Sequence, residues 1–144
     1  MDLPDVIAHS ARLGPIVHLA TVAPDGIPHV APVHVDWHDR MLYCAVGRSS
    51  AKVHNAAANP SVCLHHQVTA DSGWDSLMVW GVTRLLTSSS HKHELWSVMS
   101  YDLNLFSPGG PDNSPETIFI EIKPSRALFL ARFGFDGRSE WRAG

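Results

Sequence analysis

Two serines and a lysine between residues 49 and 52 are the residues of this chain whose spacing points most directly to chemistry. An apolar run from Met41 to Val46 ends at Gly47. Arg48, Ser49 and Ser50 follow, and Lys52 falls in the first turn of the Ala-rich segment Ala51–Ala58. The first N–H groups of a helix have no partner within the helix and attract anions. The hydroxyls of Ser49 and Ser50, the ammonium of Lys52 and the guanidinium of Arg48 would complete a phosphate cradle there. The same residues also read as an ordinary helix cap beside a surface lysine. A second unusual stretch is Pro28–Val35. A proline inside a strand removes a ladder donor, which places Pro32 at an edge or a bulge. Neighbouring backbone groups are then free to meet a flat polar ring; the simpler reading is a device against edge-to-edge aggregation.

Ten histidines raise the question of a metal. His65 and His66 are adjacent on a strand and so face opposite ways, and His91 and His93 diverge on a helix. Neither His-Glu-x-x-His nor Cys-x-x-Cys occurs, and no metal site is expected. Nucleophilic catalysis has no Gly-x-Ser-x-Gly to support it, and neither cysteine has an activating neighbour. His29 and His34 are the titratable groups of the Pro28–Val35 stretch. Five residues apart, they face opposite sides, so at most one reaches a ring laid against it. Cys44 and Cys63 sit in apolar strand-like runs and read as buried thiols in a reducing compartment. Trp141 lies in a short polar tail and is not expected in the core of its own subunit.

A small fold has to position these residues. The 144 residues suit one domain, 1–144, with no linker and no repeat. Apolar residues make up 44% and charged residues 17%, a globular balance, and no apolar run is long enough to cross a bilayer. The opening Met1-Asp2-Leu3-Pro4-Asp5 lacks the basic flank and apolar stretch of a signal peptide, so a cytoplasmic location is expected. A formal net charge of −3 carries no electrostatic footprint for nucleic acid. The spacing of Val6, Ile7, Ala11 and Leu13 predicts a helix over Asp5–Leu13, ended by Gly14-Pro15. Strands are predicted over Ile16–Ala23, Pro28–Asp36, Met41–Val46, Ser61–Val68 and Ser76–Thr87, the first two forming a hairpin around Pro24-Asp25-Gly26. Ser88-Ser89-Ser90 caps a helix predicted from about His91 to Leu105, with Leu95, Val98, Met99 and Leu105 on its apolar side. Ser107–Pro111 breaks it. Thr117–Lys123 and Ala127–Phe133 are the last strands, joined through Pro124-Ser125. Six or seven short strands with turns at close intervals predict a mainly β barrel or sandwich. Ile118-Phe119-Ile120, apolar on both sides, predicts a barrel interior on one face and a partner subunit on the other.

Leu19-Ala20-Thr21-Val22, Asp25-Gly26-x-Pro28, Leu42-Tyr43, Ser50-Ala51-Lys52 and Asn59-Pro60 follow one another with an order and spacing that resembles the pyridoxamine 5'-phosphate oxidase-like split-barrel superfamily. Glu94-Leu95-Trp96 and the run from Phe106 to Asp112 resemble its general stress protein branch. The resemblance implies a six-stranded split β-barrel of Greek-key type with a few short helices, and a homodimer with FMN at the interface. It implies that the backbone of Pro32, Val33 and His34 lines the isoalloxazine ring, that Val46 lies near the same site, and that Lys52 meets the phosphate. It further implies that Ser76 reaches the ring and that Trp141 corresponds to a tryptophan supplied by the other subunit. The function implied is a flavin-dependent oxidoreductase, a reductase using a nicotinamide donor and a small-molecule redox substrate. A non-catalytic flavin-binding stress protein and a deazaflavin-dependent reductase are the alternatives, with haem as a further cofactor.

The chain departs from the oxidases of that superfamily, which carry Arg where Ala31 and Ala51 align and Lys where Asp36 aligns. Each charge-assisted hydrogen bond is worth about 1.5–3 kcal/mol, and Ser49, Ser50 and Arg48 are the groups left to compensate. The oxidases also hold their substrate with an Arg-x-His element near the C-terminus; residues 132–142 contain no histidine. An efficient pyridoxamine 5'-phosphate oxidase is therefore not expected, since fold alone does not fix function.

Overall fold

Asp2 starts the first helix. Its carboxylate accepts the Asp5 N–H at 2.9 Å, and the Asp5 carboxylate accepts the Asp2 N–H at 2.9 Å. This reciprocal cap begins α1 (Leu3–Leu13) ahead of the first residue expected from apolar spacing, and Pro4 fits a turn that needs no donor. The computed structural model spans Met1–Gly144 and continues with β1 (Ile16–Val22), β2 (Pro28–His34), β3 (Asp36–His38), β4 (Met41–Gly47), α2 (Ala51–Ala58), β5 (Ser61–His66), β6 (Ser76–Leu86), α3 (Ser89–Val98), β7 (Thr117–Leu130) and β8 (Arg138–Arg142). No helix is long and apolar enough to cross a membrane.

The strands pair in the order β2-β1-β5-β6-β7-β4-β3, with β8 added to β7, and every pairing is antiparallel. The two ends of that order, β2 and β3, are consecutive in the chain with Val35 alone between them. One kinked stave thus pairs with β1 through its first half and with β4 through its second, closing the sheet into a barrel of six staves. The barrel is split where β2 lies beside β4 without pairing to it. The strand expected over Pro28–Asp36 is this stave, and its change of partner at the buried Val35 was not expected. Two turns set the registers. Gly26 adopts φ 90° in the β1–β2 hairpin, and Asp39 and Arg40 both take positive φ in the β3–β4 hairpin, as a tight primed turn requires.

Alternate residues of every stave fill the interior, among them Leu19, Val33, Leu42, Leu64, Val79 and Ile120. His66 also points inward, 1% exposed. Its Nδ1–H donates to the Gly14 carbonyl at 2.9 Å, and its Nε2 accepts from the Ser10 hydroxyl at 2.9 Å. That hydroxyl in turn accepts the Trp37 indole N–H at 2.8 Å. Burial holds this imidazole neutral and pushes its pKa down to about 4.

Several expectations are corrected. The last two strands are one, β7. Pro124-Ser125 does not break it but forms a bulge, Trp80 facing Arg126 and Gly81 facing Pro124. The bulge brings backbone so close that a Cβ on Gly81 would fall 2.6 Å from the Lys123 carbonyl oxygen. The helix expected as far as Leu105 starts at Ser89, behind the Ser88 cap, and ends at Val98; Leu105 is exposed rather than apolar-side. The outer face of Phe119 is covered by this chain's own α3 and its following segment, through Leu95, Met99 and Leu103, not by a partner. Cys44 is buried inside the barrel but Cys63 is only half-buried, on the outer wall. The tail that holds Trp141 is a strand, β8, and Trp141 packs against the core of its own chain.

Candidate functional site

The split between β2 and β4 opens into a cavity of about 650 Å³, within the range of small-ligand sites. The staves supply one wall: Pro32, Val33 and His34 from β2, Ile16 from β1, and Ala45, Val46 and Gly47 from β4. Lys52 enters from the first turn of α2. Tyr101, Leu103, Phe106 and Ser107 come from the segment after α3, and Glu116 and Thr117 from the approach to β7. Pro32 lies on the stave edge that the split leaves unpaired, where a proline removes no ladder bond.

Of the expected site residues, Pro32, Val33, His34, Val46 and Lys52 meet in this cavity. Ser49, Ser50, Ser76 and Trp141 do not line it. Ser50 stands at the N-cap of α2, but its hydroxyl donates to the Gly47 carbonyl at 2.7 Å and bonds no helical N–H. Ser49 donates to Glu116 at 3.4 Å, and Arg48 Nε donates to the Pro115 carbonyl at 3.0 Å. Lys52 is thereby left as the one Lys or Arg of the cavity wall, with Glu116 the one carboxylate. Ser76 is buried at the start of β6, and Trp141 lies on β8 beside Ala127. His29 faces the barrel interior with its Nδ1 unpartnered, while His34 faces the cavity, as their spacing required.

The linker residues Tyr101, Phe106 and Ser107 were missed because that stretch read as helix and breaker. Tyr101 packs against His34 with ring centroids 4.2 Å apart and meets Phe106 edge-on at 5.9 Å. Burial, and then the negative charge of Asp36, hold its phenol above the ordinary pKa. Cys44 is fully buried in the barrel core, and burial pushes its thiol up to about 12. No three metal-ligating side chains converge anywhere in the chain. The wall is apolar and partly aromatic with one ammonium at one end, a chemistry that suits a flat ring carrying an anionic tail.

Comparison with known proteins agrees with this fold. The family model described as pyridoxamine 5'-phosphate oxidase matches residues 7–131. General Stress Protein 26 from Bacillus anthracis is 24% identical, with a TM-score of 0.74 and 98% of each chain covered. A pyridoxamine 5'-phosphate oxidase-related, FMN binding protein from Nostoc punctiforme is 15% identical, with a TM-score of 0.70, 99% of this chain and 93% of that one covered. A protein described as an F420 reductase is 25% identical, with a TM-score of 0.60, 79% of this chain and 90% of that one covered. No curated protein matches the chain by sequence.

Proposed function

The chain belongs to the pyridoxamine 5'-phosphate oxidase family, and from that premise we propose that it is an FMN-dependent oxidoreductase, a reductase, working as a homodimer in the cytoplasm. The observation that carries this reading is the meeting of Pro32, Val33, His34, Val46 and Lys52 around one cavity at the barrel's split. In this reading the strand residues lie along the ring, the Lys52 ammonium meets the phosphate, and Tyr101 with Phe106 limits access of water from the linker side. Bound flavin supplies the two-electron chemistry, and the chain supplies position and charge.

The homodimer is supported by the outer wall of β1, β5 and β6. Ile16 and Val82 are exposed there, with Val30 on the neighbouring β2, beside half-buried Cys63, Met78 and Trp80. Ile16 belongs both to that wall and to the cavity. In the pairing order β2 and β8 lie on opposite sides of the wall, and in this reading a two-fold contact across it brings the partner's β8 toward the cavity. Trp141, and Ser76 with it, act in this reading only in the assembled dimer.

The family model ends at residue 131, before β8. That strand, Arg138–Arg142, carries no histidine, so incubation with pyridoxamine 5'-phosphate and oxygen should yield pyridoxal 5'-phosphate far more slowly than about 1 per second. A deazaflavin reductase is the second reading, supported by the similarity to the F420 reductase. The deciding experiment is absorbance and mass spectrometry of the cofactor released from freshly purified protein, with titration of FMN into the stripped chain. FMN release and saturable FMN binding are expected. A deazaflavin mass selects the second reading, and neither ligand bound at micromolar concentration overturns both.

A further inference from the structure

His34 is held by one edge. Its Nε2 lies 3.2 Å from Asp36 Oδ2 and 2.9 Å from Ser100 Oγ, and the same carboxylate oxygen accepts the Ser100 N–H at 3.0 Å. The hydrogen bond runs between Nε2 and the Ser100 hydroxyl, which can donate or accept; the ionised Asp36 carboxylate 3.2 Å away repels a lone pair on Nε2 and so sets the proton there and the lone pair on Nδ1. Nδ1 has no partner within the chain, and it is not buried: the one buried side-chain nitrogen or oxygen left unpartnered is His29 Nδ1. His34 lines the cavity with its side chain 19% exposed, and Tyr101 packs against its ring. The arrangement leaves a histidine of the cavity wall in one tautomer, with an accessible and unpartnered nitrogen.

We propose that His34 is the proton-exchanging side chain of this cavity, taking up a proton at Nδ1 when a ring bound against β2 is reduced by two electrons. The inference rests on the FMN reading above. A nicotinamide donor gives up a hydride, two electrons with one proton, and so leaves one negative charge on the acceptor. His34 Nδ1 takes one proton from solvent while Nε2–H stays toward Ser100 Oγ and the Asp36 charge, and the imidazolium balances the negative charge left on the acceptor. Reoxidation returns the proton to solvent. The titratable groups around His34 are Asp36 on β3 and Tyr101 in the linker, with Lys52 and Glu116 also on the cavity wall. Asp36 is the positioning residue, since it touches His34 and does not line the cavity.

Two measurements test this. Nitrogen NMR of the full chain above pH 8 should show the His34 proton on Nε2; a proton on Nδ1 overturns the inference whether or not FMN binds. The midpoint potential of bound FMN, followed against pH, should fall more steeply in the wild type than in His34→Gln. The expected difference is one proton per two electrons, about 30 mV per pH unit. Equal slopes in the two FMN-loaded proteins overturn the inference and leave the function reading standing. If His34→Gln does not fold, Asp36→Asn decides. It should show both tautomers and move the pH range of proton uptake, and an unchanged spectrum and slope overturn the proposal. If the wild type binds no FMN, the function reading itself falls, and this inference falls with it.

Discussion

The barrel has two outer walls built on the same alternation, and they meet different fates. On β4 and β7, Tyr43 and Phe119 point outward and are roofed by Leu95, Met99 and Leu103 from α3 and the segment behind it. On β2, β1, β5 and β6 as far as Val82 the outward residues have no such roof, and Val30 of β2 is 61% and Val82 of β6 50% exposed, whereas Leu86 at the far end of β6 lies under the first roof. The first wall is a second core, completed within the chain. The second offers the apolar surface an association interface uses. Period-two patterning records that a residue leaves the barrel interior. It does not record what waits outside.

The sharpest way to break this comparison is to truncate both walls. Phe119→Ala should cost about 3–5 kcal/mol in urea unfolding, the usual loss for a buried aromatic. Val82→Ala, on the bare wall, should change the unfolding of the separated subunit by no more than about 0.5 kcal/mol. Equal costs would mean that the two walls are not different.

The buried His66 gives the inner side of the bare wall a pH signature. Its folded pKa lies near 4, below the ordinary value of 6.5. The unfolded chain therefore binds more protons between these values, and stability is full above pH 6.5 and falls as the pH drops toward 4. The His66 share of the slope should be at most about 1.4 kcal/mol per pH unit, measured by urea midpoints, and should be lost in His66→Asn, leaving the smaller contribution of His9, whose pKa burial also lowers. A flat profile in the wild type would show that the Ser10–His66–Gly14 chain does not hold.

At the seam between the walls, Lys52→Ala should weaken FMN binding by about 1.5–3 kcal/mol and leave riboflavin, which lacks the phosphate, unaffected. Equal weakening of both ligands would make the lysine structural. The gentlest test reads assembly rather than stability. Light scattering of the wild type should give about twice 15.8 kDa, and Val30→Asp with Val82→Glu should return the single-chain mass without unfolding it. A wild-type monomer would leave the bare wall without its proposed occupant.

Local chemistry made part of this legible in the sequence. Asp25-Gly26 with flanking β-branched residues marks the β1–β2 hairpin, and Gly47 to Lys52 marks the passage from β4 into α2. That passage is the half of the site that could be read. The rest depends on contacts distant in sequence. Pro124-Ser125 looks like a break until Gly81, lacking a side chain, admits the bulge from the neighbouring stave. Residues 138–142 are too polar to announce a strand, and only the free edge of β7 makes them one. Tyr101 and Phe106 reach the cavity because the chain leaves the helix after Val98, where helical periodicity would have carried them elsewhere. Phe119 shows the same limit in the opposite sense: its outward apolar face was legible, and its cover was not.

The stave kinked at Val35 also dictates a timetable. Its second half joins the barrel through β4, and β4 finds its other neighbour only in β7, with Leu42 against Ile122 and Gly47 against Thr117. During synthesis the two early hairpins emerge long before that neighbour exists. Leu42 and Val46 must wait in solvent, or in the hands of a chaperone, until most of the chain has left the ribosome. Pairings so remote in sequence slow closure and lengthen the exposure of unpaired edges. The ring is sealed from both ends at once, late, and the nascent chain is most vulnerable just before it.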